Sequence, residues 1–308
     1  MRKINKVSKV AVCSRSFSKN KILRKELQER YLNITFNDDG LKLEGSSLIN
    51  FLRGHDKAII ALERINESIL RQLPELKVVS KYGVGLDMID IKSIKRHNVR
   101  LGWTGGVNRR SVSELVISFA ISLLRHVPES YRGVLSGIWR QYIGGQLSGK
   151  TVGIIGCGFV GKDLVKMLKP FDCKILVNDI LDQTEFYKKH NILKVSLREL
   201  LLQSDVVTLH VPLDDSTHNI LSSDRLSLMK SSAILINIAR GGLIDEEALK
   251  LMLKEGRIAA AGLDVFSIEP PMDIELLNLP NFLVTPHIGG SSEEAILSMG
   301  RAAINGLS

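Results

Sequence analysis

The sequence predicts an α/β chain built from two doubly wound parallel-sheet units. Three observations carry that expectation. The first hundred or so residues alternate short apolar, β-branched runs with segments of helical apolar spacing, the pattern of repeated βα units. A second series of the same kind starts at TVGIIG and runs to FLVTPHI. At its head, between a strand and a helix, Gly156, Gly158 and Gly161 form G-x-G-x-x-G.

In the first series KVAVCS, NITFN, KAIIAL, KVVSKYG and VRLGW read as strands. KNKILRKELQERY, SSLINFLR, NESILRQL and DIKSIKRH read as the helices between them. A long helix is expected from Ser111 to Val127, with Ser111 and Glu114 as a capping box and Pro128 ending or interrupting it. A polar, glycine-rich passage, SGIWRQYIGGQLSG, leads to the second series. Its strands are TVGIIG, CKILVND, DVVTLHVP, AILINIA, IAAAGLDVF and FLVTPHI. Ser196 with Glu199 forms a capping box, and Asp245 caps EEALKLMLKEG. The tail SSEEAILSMGRAAINGLS reads as a helix returning to the first unit.

With 308 residues the chain can hold two cores, and 44% apolar with 24% charged residues is an ordinary globular composition. The apolar runs are too short to cross a bilayer, and the N-terminus lacks the features of a signal peptide. Cys13, Cys157 and Cys173 show no paired or metal-ligand spacing, so a reducing cytoplasm and no metal are expected. The charge of +9 is scattered apart from a modest cluster in the first ten residues, and only 5% of residues are aromatic. Neither a nucleic acid nor a membrane is therefore expected as a partner.

The glycine pattern is a dinucleotide site in prospect. The first glycine permits a tight turn, the second lets backbone approach a pyrophosphate, and the third allows close helix–strand packing. The helix start then offers the N–H groups of Phe159 and Val160 to phosphate. Asp179 closes the next strand, eighteen residues after Gly161 (179 − 161). A carboxylate there accepts from a ribose 2′-hydroxyl and repels a 2′-phosphate, which favours NAD over NADP.

Arg240, Glu269 and His287 each follow a strand-like run. Strand ends converge in an open α/β sheet, and ligands bind there. A cation, a carboxylate and an imidazole beside a dinucleotide can hold an acid, polarise its carbonyl and move a proton. That set points to hydride transfer on a small 2-keto or 2-hydroxy acid.

GIIGCGFVGKDL, LHVPLDDSTHNI, ILINIARGGLIDEEAL, AGLDVFSIEPP and VTPHIGGSS, in this order, resemble the D-isomer-specific 2-hydroxyacid dehydrogenases, in particular their phosphoglycerate dehydrogenase-like branch. LKVVSKYGVGLDMID and GVNRRSVSELVI extend the resemblance over nearly the whole chain. It implies a Rossmann NAD-binding domain, residues 106–287, inserted in a flavodoxin-like substrate domain of residues 1–105 completed by 288–308, and a homodimer. It makes Arg240 the cation that grips the substrate carboxylate, a task suited to a guanidinium's paired donors. His287 becomes the acid/base, and Glu269 accepts from its second ring nitrogen and orients it. It adds Thr217, Ile238, Ala239, Asp264 and Gly289 as cofactor contacts. KYGVGLD supplies the N–H groups of Val84 and Gly85 as an anion-binding nest, with Lys81 as an extra cation. His210 lines the adenosine side or packs structurally, and Cys157 is a small residue that fits the glycine turn.

Two stretches depart from the family pattern. GWTGGVN puts Trp103 and Gly105 where many relatives carry Asn and Pro. AIIALER has Ile60 and Ala61 where phosphoglycerate-oxidising relatives carry Arg-Ser, with Arg64 four residues on from Ile60. A feedback-controlled enzyme with an appended effector domain is not expected. The expected activity is reversible NAD-dependent conversion of a 2-keto acid and its D-2-hydroxy acid. The alternatives are 3-phosphoglycerate dehydrogenase specifically, or an NADH-sensing binding protein like the corepressors of this fold.

Overall fold

In the first of two compact units, the central strands are buried on both faces at their carboxyl ends, and their side chains divide by parity between two cores. The computed structural model describes residues 5–308; the first four, which begin the basic N-terminal cluster, lie outside the described residues. The unit comprises Met1–Asn108 with Ser292–Ser308. Its strands are β1 (Asn5–Val12), β2 (Tyr31–Phe36), β3 (Lys57–Ile60), β4 (Val78–Lys81) and β5 (Arg100–Gly102), all parallel in the order β2-β1-β3-β4-β5. Val10, Val12, Ile59 and Val78 join one cluster, and Ala11, Ala58, Ile60 and Val79 join the other. Successive side chains point to opposite faces of a strand, so two apolar sets demand helices on both sides. This is the flavodoxin-like order. The C-terminal helix Glu293–Gly306 closes one face, with Ala303 and Ile304 in the core. The buried Ser80 hydroxyl donates to the Ala303 carbonyl at 2.6 Å.

The second unit, Arg109–Ser291, repeats the logic with seven parallel strands. They are β6 (Thr151–Ile155), β7 (Lys174–Asn178), β8 (Leu193–Lys194), β9 (Val206–Leu209), β10 (Ile234–Asn237), β11 (Ala260–Leu263) and β12 (Phe282–Val284). Their order is β12-β11-β10-β9-β6-β7-β8, so the chain starts in the middle and reverses direction between β6 and β9. Ile155, Leu176, Val207 and Leu235 face one core, and Ile154, Val177, Val206 and Ile236 the other. The strand β8 has two exposed residues and no alternation, so the sequence reading passes over it.

The expected boundaries fall at 105/106 and 287/288, whereas the compact units part at 108/109 and 291/292. The loop after β12 stays with the second sheet because Asp264 and Ser111 hold it there. The long helix also differs from expectation. It spans Arg109–Leu124, so Ser111 lies inside it and does not cap it. The Ser111 hydroxyl donates to the Gly289 carbonyl at 2.7 Å. A second helix, Val127–Leu135, follows after His126 adopts a left-handed conformation, and Pro128 sits in its first turn, where proline costs no hydrogen bond. The capping box of Ser196 with Glu199 and the Asp245 cap form as read. No helix among the described residues is long and apolar enough to cross a membrane.

Candidate active site

Gly156 leaves β6 at the point where the strand order reverses, with φ +95°. A Cβ there would lie 2.7 Å from the His210 carbonyl oxygen, and one on Gly161 would lie 2.4 Å from the Gly156 oxygen. Both contacts are closer than any side chain tolerates, so the first and third glycines allow strand, turn and helix to meet. Gly158 differs: no atom lies within 4 Å of its would-be Cβ. Its bare side is open space at the start of the helix Phe159–Leu168, which has no side-chain cap. The Phe159 and Val160 N–H groups have no partner among the described residues. An open cradle, unpaired donors and a helix N-terminus together fit an anionic pyrophosphate.

Asp179, at the end of β7, sits against this turn. One oxygen accepts from the Cys157 N–H at 2.5 Å, and the other from the Leu181 N–H at 2.7 Å. Its free lone pairs suit a ribose hydroxyl, and Ile180 and Leu181 follow it with no cation. Burial, followed by the charge of Asp179, pushes the Cys157 thiol up to about 11. It stays protonated and is no nucleophile. The His210 ring bonds Thr208 Oγ1 at 3.0 Å, and burial lowers its pKa to about 3. It remains neutral and structural. The Thr217 hydroxyl is engaged within its own loop, donating to the Pro212 carbonyl at 2.7 Å and accepting from the Asp214 N–H at 2.8 Å.

Arg240, Glu269 and His287 follow β10, β11 and β12, three neighbouring strands of one sheet. His287 Nδ1 lies 2.9 Å from Glu269 Oε2 and 3.2 Å from Oε1. The other ring nitrogen, Nε2, has no partner among the described residues, and half of the side chain is exposed. Glu269 is itself steadied by the Phe266 N–H at 3.2 Å. A carboxylate on Nδ1 fixes the ring and leaves Nε2 to exchange a proton with a ligand. Arg240 is half-buried, with Nη1 donating to the Ala239 carbonyl at 2.7 Å.

Two buried residues set these groups in place. Asp264, 1% exposed, accepts from Thr285 Oγ1 at 2.5 Å, the Ile288 N–H at 2.7 Å and the Gly289 N–H at 2.8 Å. Its carbonyl takes the His287 N–H at 2.8 Å. The sequence reading places Asp264 and Gly289 beside the cofactor. In the structure both are committed within the domain, Asp264 as the clamp on the His287 loop and Gly289 with N–H and carbonyl both bonded. Asn237, absent from the sequence reading, does the same for Arg240. Its side chain donates to the Arg240 carbonyl at 2.7 Å and accepts from the Ala239 N–H at 3.0 Å. An Asn ending a strand just before ARGG was the available signal. Ile238 is buried against the would-be Cβ of Gly289 and presents no side chain to solvent.

In the first unit, Lys81 ends β4 and is buried, with its ammonium donating to the Ala61 carbonyl. The turn Gly83–Gly85 covers it: a Cβ on Gly83 would lie 3.5 Å from Lys81 Nζ. The Val84 and Gly85 N–H groups have no partner among the described residues. A buried cation beneath two unpaired backbone donors has the chemistry to suit an anion. Among the described residues no group of three or more His, Cys, Asp and Glu could hold a metal.

Comparison with known proteins bears on this geometry. Residues 117–289 match the model of the D-isomer specific 2-hydroxyacid dehydrogenase family, NAD binding domain. A glyoxylate reductase of Pyrococcus horikoshii is 39% identical over 239 residues, 75% of this chain and 72% of that protein. A D-3-phosphoglycerate dehydrogenase of Methanocaldococcus jannaschii is 38% identical over 235 residues, 75% of this chain; the chain spans only 45% of that relative's length. Among solved structures, D-2-hydroxyisocaproate dehydrogenase superposes with a TM-score of 0.85 at 25% identity, covering 98% of this chain and 95% of that one.

Proposed function

From the premise that the chain belongs to the D-isomer-specific 2-hydroxyacid dehydrogenase family, with that family's NAD-binding domain, we propose that it reduces a small 2-keto acid to the D-2-hydroxy acid, reversibly. The observation that carries the reading is the His287–Glu269 pair, 2.9 Å apart with Nε2 unpartnered, on loops that follow β12 and β11, next in sheet order to β10, which leads to Arg240. NAD would be held by Gly156, Gly158 and Gly161, the N–H groups of Phe159 and Val160, and Asp179, with Thr217, Ile238 and Ala239 lining the site. When bound, its nicotinamide supplies or accepts the hydride. Arg240 grips the acid's carboxylate and draws electron density from the adjacent carbonyl. His287 gives its Nε2 proton to the carbonyl oxygen as that oxygen gains charge, and takes a proton back in the oxidation. Glu269 holds the ring in place through Nδ1 and leaves Nε2 for the acid. In the first unit, Lys81 with the Val84 and Gly85 N–H groups provides a further element for an acid anion.

The relatives include glyoxylate reductase and phosphoglycerate dehydrogenase. Ile60 and Ala61 stand where the Arg-Ser pair of the latter is expected, which favours an unphosphorylated acid. NADH consumption with a panel of 2-keto acids tests the proposal: turnover of at least one supports it. Tight NADH binding without turnover of any would instead favour a sensor.

We also propose a homodimer in a reducing compartment. The helix Val127–Leu135 and the segment after it expose Tyr131, Leu135, Ile138, Trp139 (84%) and Ile143 (96%). An apolar stretch so fully solvated fits a second copy of the chain. All three cysteines are free.

A further inference from the structure

The loop that carries Glu269 is fastened to the one that carries Arg240 by contacts the proposed reaction leaves unexplained. Gly241, next to Arg240, packs directly on the backbone at Phe266. A Cβ there would lie 1.9 Å from the Phe266 carbonyl oxygen and 2.5 Å from the Ser267 nitrogen. Only a residue without a side chain lets the two loops approach so closely. Contact of this kind stops the loops from closing further but does not stop them from parting.

A polar tie does that. Glu246 opens the helix Glu246–Lys254, six residues on from Arg240 (246 − 240). Its Oε1 accepts from the Ser267 N–H at 2.7 Å and from the Ser267 hydroxyl at 2.8 Å. Hydrogen bonds to an ionised acceptor are the stronger kind. The cation Lys250 of the same helix is engaged elsewhere, 2.8 Å from Glu247 and 2.9 Å from Asp273. Ser267 stands two residues before Glu269, and the stretch from Ser267 to Glu269 is exposed. Burial does little to hold it, so its hydrogen bonds set its place. Apart from Glu246, the return bond from the Phe266 N–H to Glu269 is long, at 3.2 Å.

We propose, resting on the reading of the chain as a 2-keto acid reductase, that Glu246 is a positioning residue for that reaction. It acts through Ser267 to hold Glu269 against His287, and it ties the acid/base pair to the Arg240 loop. Without the tie, the stretch from Ser267 to Glu269 moves away from Gly241 and the Glu269–His287 contact loosens. The imidazole Nε2 then loses its fixed direction. Proton transfer slows, while Arg240 stays where Asn237 holds its backbone.

The test is a double-mutant cycle. The kcat and KM for the best keto acid are measured in the wild type, Glu246→Ala, Glu269→Ala and the double variant. Glu246→Ala is expected to lower kcat about tenfold or more, on the scale that small misplacements produce, with KM little changed. In the Glu269→Ala background the same substitution should change kcat by less than about twofold, because residues acting through one another are not additive. Glu246→Gln keeps an oxygen for both donors and should stay within about twofold of wild type. Ser267→Ala, at an exposed position, removes one donor and should show a smaller loss with the same dependence on Glu269. A merely structural tie would cost the same factor in both backgrounds, and that result overturns the inference. Wild-type kcat in Glu246→Ala overturns it too, as does a Glu246→Gln enzyme as slow as Glu246→Ala. Reduction of no keto acid by the wild type, or a Glu269→Ala enzyme as fast as wild type, overturns the functional reading itself and the inference with it.

Discussion

His287 is held from both ends. Its backbone takes a left-handed turn at φ 57°, its N–H is bonded to the Asp264 carbonyl, and its ring to Glu269. Asp264 carries the larger share of this arrangement, because its carboxylate gathers three donors from the loop that delivers the imidazole. In Asp264→Asn an amide N–H would face one of those donors. We expect a loss of roughly 1–3 kcal/mol of stability for each buried donor left without a partner. A fall in kcat of up to about 100-fold should accompany it, as small misplacements of reacting groups produce. Retention of wild-type kcat would show that the clamp does not position the histidine. With Asp179 at the end of β7, a clear preference for NADH is expected in the ratio of specificity constants; a preference for NADPH would contradict a ribose-binding role of its carboxylate.

At the scale of elements, the glycine turn separates ligand space from packing space. Gly158→Ala adds a methyl where the protein has no atom. Its melting temperature is expected to stay near wild type while NADH affinity falls about tenfold or more, roughly 1.4 kcal/mol. Gly161→Ala drives a methyl into the Gly156 carbonyl, so stability itself should drop by about 1–3 kcal/mol. Equal melting losses in the two variants would refute that division. A pH effect belongs here too. Asp205 joins β9 to β6, accepting from the Thr151 N–H at 2.9 Å and from Lys230 at 2.8 Å. Partial burial raises its carboxyl, but these bonds and the lysine charges outweigh burial and hold it below the usual range. A depressed native pKa contributes stability above the unfolded value, and that stability is lost as pH falls through the native one. The acid limb of the stability curve should therefore flatten in Asp205→Asn, as read by urea unfolding across the acidic range. What could be read from the sequence follows the same division. Apolar periodicity and glycine spacing are local signals, so the βα units, the glycine turn and the placement of Arg240, Glu269 and His287 after three strands were legible. Asp264, Asn237 and the start of the long helix at Arg109 were not, because each depends on a partner distant in sequence or on a loop closing over it. Ser111 looks like a cap until Gly289 arrives to accept its hydroxyl.

For the molecule as a whole, the exposed stretch from Tyr131 to Ile143 is expected to be covered by a second copy. Sedimentation equilibrium should give a dimer, and Trp139→Ser combined with Ile143→Ser should give a folded monomer; a monomeric wild type would end that proposal. The central claim is that one chain binds NAD at its glycine turn and moves a proton through His287. Its most direct test is to measure kcat/KM for the best keto acid in His287→Ala beside the wild type, with NADH affinity taken in parallel. Loss of the acid/base should cost about 100- to 10,000-fold in rate, with NADH binding unchanged. Turnover within a few-fold of wild type, at intact NADH affinity, would show that the proton passes by another route.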